Sequence, residues 1–397
     1  MKDLQLFKAI GLMSGTSMDG IDVAWIETDG EFHLNILGHF SVTHDMAFYS
    51  GMKLMEVSIR EMIKTTPLAS IQQTHQEMIQ KIDLLHARAV GGLCKKYHVK
   101  RVNDLGVDIV GYHGQTIYHQ PTEGITMQMG NPQWLANDLK IPVMGNVRQR
   151  DIQLGGQGAP IAPIYHQSLV IQDNLVPAAV INCGGISNIT GVFGNDSTDL
   201  MGFDAGPGNG LLDRWVNEKT QGKEMMDKDG HYGLAGKINQ TSLKELRSYS
   251  CLKSDGSGNY YDQKPPKSLD IRDFKLTESF NQLSLEDGCA TLAAFTAECI
   301  VDAFDFMPSV LKNIILVGGG WYNPLILHHL KVMATKKYGH NIHIVCGDEI
   351  GWKSQYSEAE LMAFLAVRRL RNLPITFPST TGAPYPLLGG DIFYPEI

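Results

Sequence analysis

A chain of 397 residues, 43% hydrophobic and 19% charged, is long enough to outgrow a single core and too apolar to stay disordered, so two domains of an ordinary globular protein are expected. Its formal net charge of -8 argues against a broad surface for nucleic acid or an anionic membrane and favours a small-molecule ligand. No apolar run approaches the ~20 residues that span a bilayer, the start of the chain lacks a secretory-signal pattern, and the six cysteines at 94, 183, 251, 289, 299 and 346 show no zinc-type spacing, which fits scattered thiols in a reducing cytoplasm.

The first element runs from Phe7 into Ser14-Gly15-Thr16-Ser17-Met18-Asp19-Gly20 and out through Ile21-Asp22-Val23-Ala24, the pattern of two strands joined by a tight loop. Gly15 and Gly20 allow close approach to a ligand, and Ser14, Thr16 and Ser17 add hydroxyl donors. Exposed N–H groups in such a loop favour a phosphate, although a purely structural hairpin would read the same. A third strand at about 32–42 follows the turn Asp29-Gly30. Residues 56–98 carry Met62, Ile71, Met78, Ile82 and Leu85 at helical spacing, as a core face.

A strand at 108–116 places His113 and Gln115 at its end, where open α/β sheets hold ligands. A short strand at 126–129 turns through Gly130-Asn131-Pro132 into a helix ending near Leu139, and 141–144 forms the next strand. The loop after it gathers Arg148, Arg150, Asp151, Gln157 and three glycines including Gly158 before a helix expected to open at Pro160. Its arginines supply paired donors for sugar oxygens or a carboxylate.

The chain then repeats its opening device. Ala178–Val192 passes from apolar strand through Gly184, Gly185, Ser187 and Asn188 to apolar strand, so a duplicated domain clasping one nucleotide is expected. Asp204 precedes Gly206-Pro207-Gly208-Asn209 and a helix to about Glu218; at a helix N-terminus the dipole would keep it ionised, as it would a helix cap. Residues 224–275 are turn-rich, as in a surface insertion or flap. A helix at 285–306, a strand at 313–317, the triple glycine Gly318–Gly320, a strand at 342–345 and a helix from Glu358 complete the chain. The triple glycine would let the backbone lie flat against a base or ribose. Lobes at 1–175 and 176–397 are expected, the tail returning to the first.

The motifs GLMSGTSMDGID at 11–22, HGQT at 113–116, GNP at 130–132, RDIQLGGQGAP at 150–160, GGISN at 184–188, GFDAGPGN at 202–209, DKDG at 227–230, PPKS at 265–268 and VGGG at 317–320 together resemble the anhydro-N-acetylmuramic acid kinases over nearly the whole chain. The resemblance implies two duplicated actin-like, ribonuclease H-like α/β domains with ATP in an interdomain cleft. It implies an enzyme that uses ATP and Mg²⁺ to phosphorylate O6 of 1,6-anhydro-N-acetylmuramic acid while water opens the anhydro bridge at C1, giving N-acetylmuramic acid 6-phosphate in peptidoglycan recycling. Asp204 would be the general base and Glu358 would help place the substrate. Gly15, Thr16, Ser17, Met18, Asp19, Gly20, Ile21 and Asp22 would wrap the phosphates, with Asp19 or Asp22 as candidates for the metal. Gly184, Gly185, Asn188, Gly206, Gly208 and Asn209 would complete the nucleotide side, with Gly318, Gly319 and Gly320 by the adenosine. His113, Gln115, Asn131, Arg148, Arg150, Asp151, Gln157 and Gly158 would border the sugar.

Two departures stand out. Many members carry Asp-Phe-Arg where this chain has Asn146-Val147-Arg148, and Ser-Thr-Gly where it has Ser268-Leu269-Asp270; neither is expected to touch Asp204. The alternatives are another sugar or carboxylate kinase of the same superfamily, and an Hsp70- or actin-type protein that uses ATP to change shape. The latter needs a further domain for which no residues remain. A homodimer is compatible with all three.

Overall fold

The computed structural model describes residues 5–15, 18, 20–252 and 258–396. The chain forms two compact units, one of Met1–Gln172 with Gln355–Ile397, the other of Asp173–Ser354. Everything from Gln355 onward, including the helix that carries Glu358, lies in the first unit.

In chain order the strands are β1 (Phe7–Ser14), β2 (Gly20–Thr28), β3 (Leu34–Thr43), β4 (Ile109–Gln120), β5 (Ile125–Met129) and β6 (Val143–Gly145), then β7 (Ala178–Cys183), β8 (Ile186–Val192), β9 (Leu200–Pro207), β10 (Asn313–Val317) and β11 (His343–Cys346), and last β12 (Asp391–Phe393). The first sheet runs β3-β2-β1-β4-β6-β12, with β5 paired to β4; the second runs β9-β8-β7-β10-β11. In each, the first strand pairs antiparallel with the second, the second antiparallel with the third, and the first parallel with the fourth. The same order and senses occur twice. The expected duplicated α/β fold of ribonuclease H-like type is therefore present in the pairing itself.

What holds the first sheet to its helical layer is an absence of side chain. The helix Ser357–Leu370 is buried from Ala359 to Arg368 and lies so close to β1 and β4 that a Cβ on Gly11 would meet the Ala359 carbonyl oxygen at 1.8 Å, and one on Gly111 the Met362 carbonyl oxygen at 2.0 Å. Gly11 is thus a packing glycine. On β1 and β2, Ile10, Leu12, Ile21 and Val23 fill the core on alternate positions. In the second unit the helix Leu285–Ala303 is the central element. Phe203, Trp215 and Phe280 gather around it with its own Phe295, and the Trp215 indole N–H donates to the Leu285 carbonyl at 3.1 Å.

Two expectations need correcting. The expected surface flap over 224–275 contains a core element: the helix Gln240–Tyr249, capped by Asn239, which accepts from the Ser242 N–H at 3.0 Å, buries Leu243 and Leu246 in the main core. Apolar spacing, not the turn residues beside it, decided the outcome. The helix expected at Pro160 starts at Pro163, after a short turn of helix at Gln149–Gln153. Among the described residues no helix is long and apolar enough to cross a membrane.

Candidate functional site

Asp204 lies within β9, three residues before its end, and the next helix opens only at Gly210. The expectation that a helix N-terminus keeps it ionised is wrong. The strand persists because Phe203 and Asp204 pair with Ile189 and Asn188 of β8. Asp204 is instead held by a distant segment: its N–H donates to the Lys267 carbonyl at 3.0 Å, its carbonyl accepts from the Tyr260 hydroxyl at 2.9 Å, and its Oδ2 accepts from the Leu269 N–H at 2.8 Å. Desolvation raises its carboxyl to about 7, against the opposing effects of the Leu269 N–H and the Lys267 charge. A carboxylate that titrates near neutrality is a far better proton acceptor than one stabilised by a dipole.

The glycines around Asp204 knit two turns together. The N–H groups of Gly208 and Gly210 donate to the Gly185 carbonyl at 3.0 and 3.2 Å, and that of Asn209 to the Gly184 carbonyl at 2.8 Å. A Cβ on Gly208 would stand 1.9 Å from the Gly184 oxygen. Asn188 faces Asp204 across the ladder, and Gly206 leaves room for Cys299. The triple glycine serves packing more than a flat ligand surface. Gly318 has φ +93° and sits against Asn182, Gly320 sits against Cys183, and Gly319 alone is open.

In the first unit, Thr16, Ser17 and Asp19 lie outside the described residues. The ends of their loop are fixed. The Gly15 carbonyl accepts from the Met18 N–H at 3.1 Å and from Gln115 Nε2 at 3.0 Å, while the Ser14 hydroxyl donates to Gln115 Oε1 at 2.5 Å. Gln115, buried, therefore shapes the loop rather than facing a sugar. Met18 turns its side chain into the core beside Met52 and Ile117. Gly20 abuts the Val42 carbonyl, Ile21 is core, and Asp22 lies opposite Met13 and Ser41 in the sheet. The described residues contain no group of three or more His, Cys, Asp or Glu arranged to hold a metal.

The arginine loop is a relay of fixed groups. His113, buried, donates from Nδ1 to the Gly114 carbonyl at 2.9 Å and accepts from Arg148 Nε at 3.1 Å on Nε2. Burial, then the Arg148 charge, lowers its pKa to about 3, so the ring is neutral. Arg148 also donates from Nη1 to the Gly158 carbonyl at 2.7 Å; burial lowers its pKa to about 10, with Glu358 and then Asp151 opposing. Asp151 has both oxygens occupied, Oδ1 by the Gly158 N–H and Oδ2 by the Thr381 hydroxyl, each at 2.6 Å. Gln157 pairs its N–H with the Thr381 carbonyl, and Asn131 caps the helix Pro132–Leu139 by accepting from the Trp134 N–H. Of the residues expected to border a sugar, then, His113, Gln115, Asn131 and Asp151 are committed to protein groups.

Arg150 and Glu358 remain outward. Arg150 is exposed and lines a polar cavity of about 590 Å³ with Gln128, Asn146, Gln149, Gln153 and Asp391. Glu358, in the first turn of its helix, is exposed. The sequence reading missed the groups that hold the site: Tyr260, Lys267 and Thr381 lie up to 230 residues from what they contact. The PPKS motif was the one available signal for Lys267.

A family model described as anhydro-N-acetylmuramic acid kinase matches residues 7–395. The chain belongs to the anhydro-N-acetylmuramic acid kinase family. Proteins of that name from Zymomonas mobilis, Azorhizobium caulinodans and Methylobacterium nodulans are 38%, 37% and 36% identical to it, over 97%, 98% and 96% of this chain and 99%, 99% and 98% of theirs. Both departures from the common family pattern have a physical account. Asn146, at φ +56°, donates from Nδ2 to Asp391 Oδ2 at 3.0 Å, so an acid at 146 would set carboxylate against carboxylate. Leu269 does reach Asp204, contrary to expectation, but through its backbone N–H. Exchanging Thr for Leu leaves that donor in place.

Proposed function

We propose that this chain is an ATP-dependent anhydro-N-acetylmuramic acid kinase that cleaves the 1,6-anhydro ring with water and phosphorylates O6, giving N-acetylmuramic acid 6-phosphate in peptidoglycan recycling in the cytoplasm. The observation that carries the reading is the state of Asp204, a carboxylate shifted to about 7 with one oxygen engaged by Leu269. In the reaction Asp204 takes a proton from water through its other oxygen. The water oxygen bonds to C1, the C1–O6 bond breaks, and O6 takes the γ-phosphoryl group of ATP, leaving ADP. Ring opening thereby supplies the nucleophile for phosphoryl transfer.

The β1–β2 loop, rich in glycine and hydroxyl residues, is the segment suited to the nucleotide's phosphates, since the N–H groups of Gly184, Gly208, Asn209 and Gly210 are donated within their own turns. Arg150 and Glu358 are the outward polar groups suited to the sugar, on the frame made by His113, Arg148 and Asp151. A Mg²⁺ ion would be carried largely by the phosphates, with Asp19 and Asp22 as its nearby carboxylates in sequence. Its contribution would be to neutralise charge on the transferring phosphoryl group.

Incubation with ATP, Mg²⁺ and 1,6-anhydro-N-acetylmuramic acid in ¹⁸O water tests this. The label is expected at C1 of a 6-phosphorylated product. A phosphorylated product with an intact anhydro bridge, or none at all, would remove the reading.

A further inference from the structure

Lys267 is 2% exposed, and among the described residues its ammonium forms no ion pair. Nζ instead donates to the carbonyls of Tyr260 and Tyr261, at 3.3 Å each. It stands 4.5 Å from the ring centroid of Phe306, 4.7 Å from that of Tyr260 and 5.8 Å from that of Phe203. Burying an ammonium this way is costly, and a methionine would fill the same space without that cost. What the arrangement provides is a set of ties to one residue. Phe203 is the neighbour of Asp204 in β9; Tyr260 offers its carbonyl to Lys267 and its hydroxyl to Asp204; the carbonyl of Lys267 accepts from the Asp204 N–H; and Leu269, two residues on, donates to the carboxylate.

We propose that Lys267 is a positioning residue for Asp204: an ammonium caged by aromatic rings that anchors residues 260–269 so that their backbone groups aim the carboxylate. The inference rests on Asp204 being the base of the proposed reaction. The field of Lys267 acts on Asp204 to lower its pKa, and burial brings Lys267 itself down to about 8. The other charged or titratable groups acting on Lys267 are Arg247, which disfavours its charge, Cys299 and Asp262, which favour it, and Cys251, on which the Lys267 charge acts in turn.

The test compares Lys267→Met and Lys267→Arg in the full chain, by the pH profile of kcat/KM and by ¹³C NMR titration of the aspartate carboxyls, assigned with Asp204→Asn. In Lys267→Met the acid limb and the Asp204 titration should both move up by about one pH unit, with kcat reduced and the KM for sugar unchanged. In Lys267→Arg both should return towards the wild-type position. A folded Lys267→Met enzyme with unmoved acid limb and unmoved Asp204 titration overturns the proposal. Should Lys267→Met not fold, Tyr260→Phe decides, since it keeps ring and carbonyl and removes only the hydroxyl on Asp204: a severalfold fall in kcat supports the anchoring, and wild-type kcat overturns it. Inactivity of the wild-type enzyme on the anhydro sugar would count instead against the function, and the NMR titration would still report on Lys267.

Discussion

Asp151 and Asp204 look alike in the sequence, each an acid beside a glycine-rich turn, and the structure puts them to opposite uses. Asp151 has two buried partners for its two oxygens and acts as a strut between Gly158 and Thr381. Asp204 has one oxygen engaged and a pKa pushed up by desolvation to about 7. The lesson is that satisfaction, more than burial, separates a structural acid from a reactive one.

Replacing each acid sharpens that contrast. Asp204→Asn keeps the shape and the Leu269 contact, and should lower kcat at least ~100-fold while nucleotide binding, read by calorimetry, persists. The same change should stabilise the fold in alkali. A carboxyl with its folded pKa raised from 3.8 to about 7 contributes stability that is full below 3.8 and lost as pH rises through about 7, and an amide escapes that loss. Asp151→Ala should act the other way round, leaving the Gly158 N–H and the Thr381 hydroxyl without partners at about 1–3 kcal/mol each. Denaturant midpoints would show it, with a raised KM for sugar as the loop loosens. Near-wild-type kcat in the first variant, or unchanged stability in the second, would break the comparison.

Much of this was legible beforehand. Both glycine hairpins, the strand leading to Asp204 and the helix from about Leu285 follow from short-range patterns of apolar spacing and turn residues. The errors share a cause. Gly206-Pro207-Gly208 reads as a strand end and helix start, yet pairing with β8 carries the strand to Pro207, a long-range fact that no window of sequence contains. Likewise Thr381 on Asp151, Leu269 on Asp204 and the Ser357–Leu370 helix on Gly11 and Gly111 join residues far apart in the chain.

Smaller effects refine the frame around the two acids. His113, with a folded pKa near 3 against 6.5 in the unfolded chain, contributes stability that is intact above 6.5 and lost as pH falls towards about 3. Acid unfolding curves for His113→Gln should therefore be flatter across that window, and superimposable curves would show the imidazole to be protonated in the fold. Asn146→Asp, which sets a second carboxylate on Asp391, should cost ~0.5–1 kcal/mol, and the cost should shrink when salt is added.

The measurement closest to the centre of the account is the titration of the Asp204 carboxyl, followed by ¹³C NMR in the unliganded protein with Asp204→Asn as the reference. A midpoint near 7 is expected, coinciding with the acid limb of kcat/KM. A midpoint at the ordinary aspartate value near 4 would mean that the residue is a permanently ionised and feeble acceptor, and the base would have to be sought elsewhere.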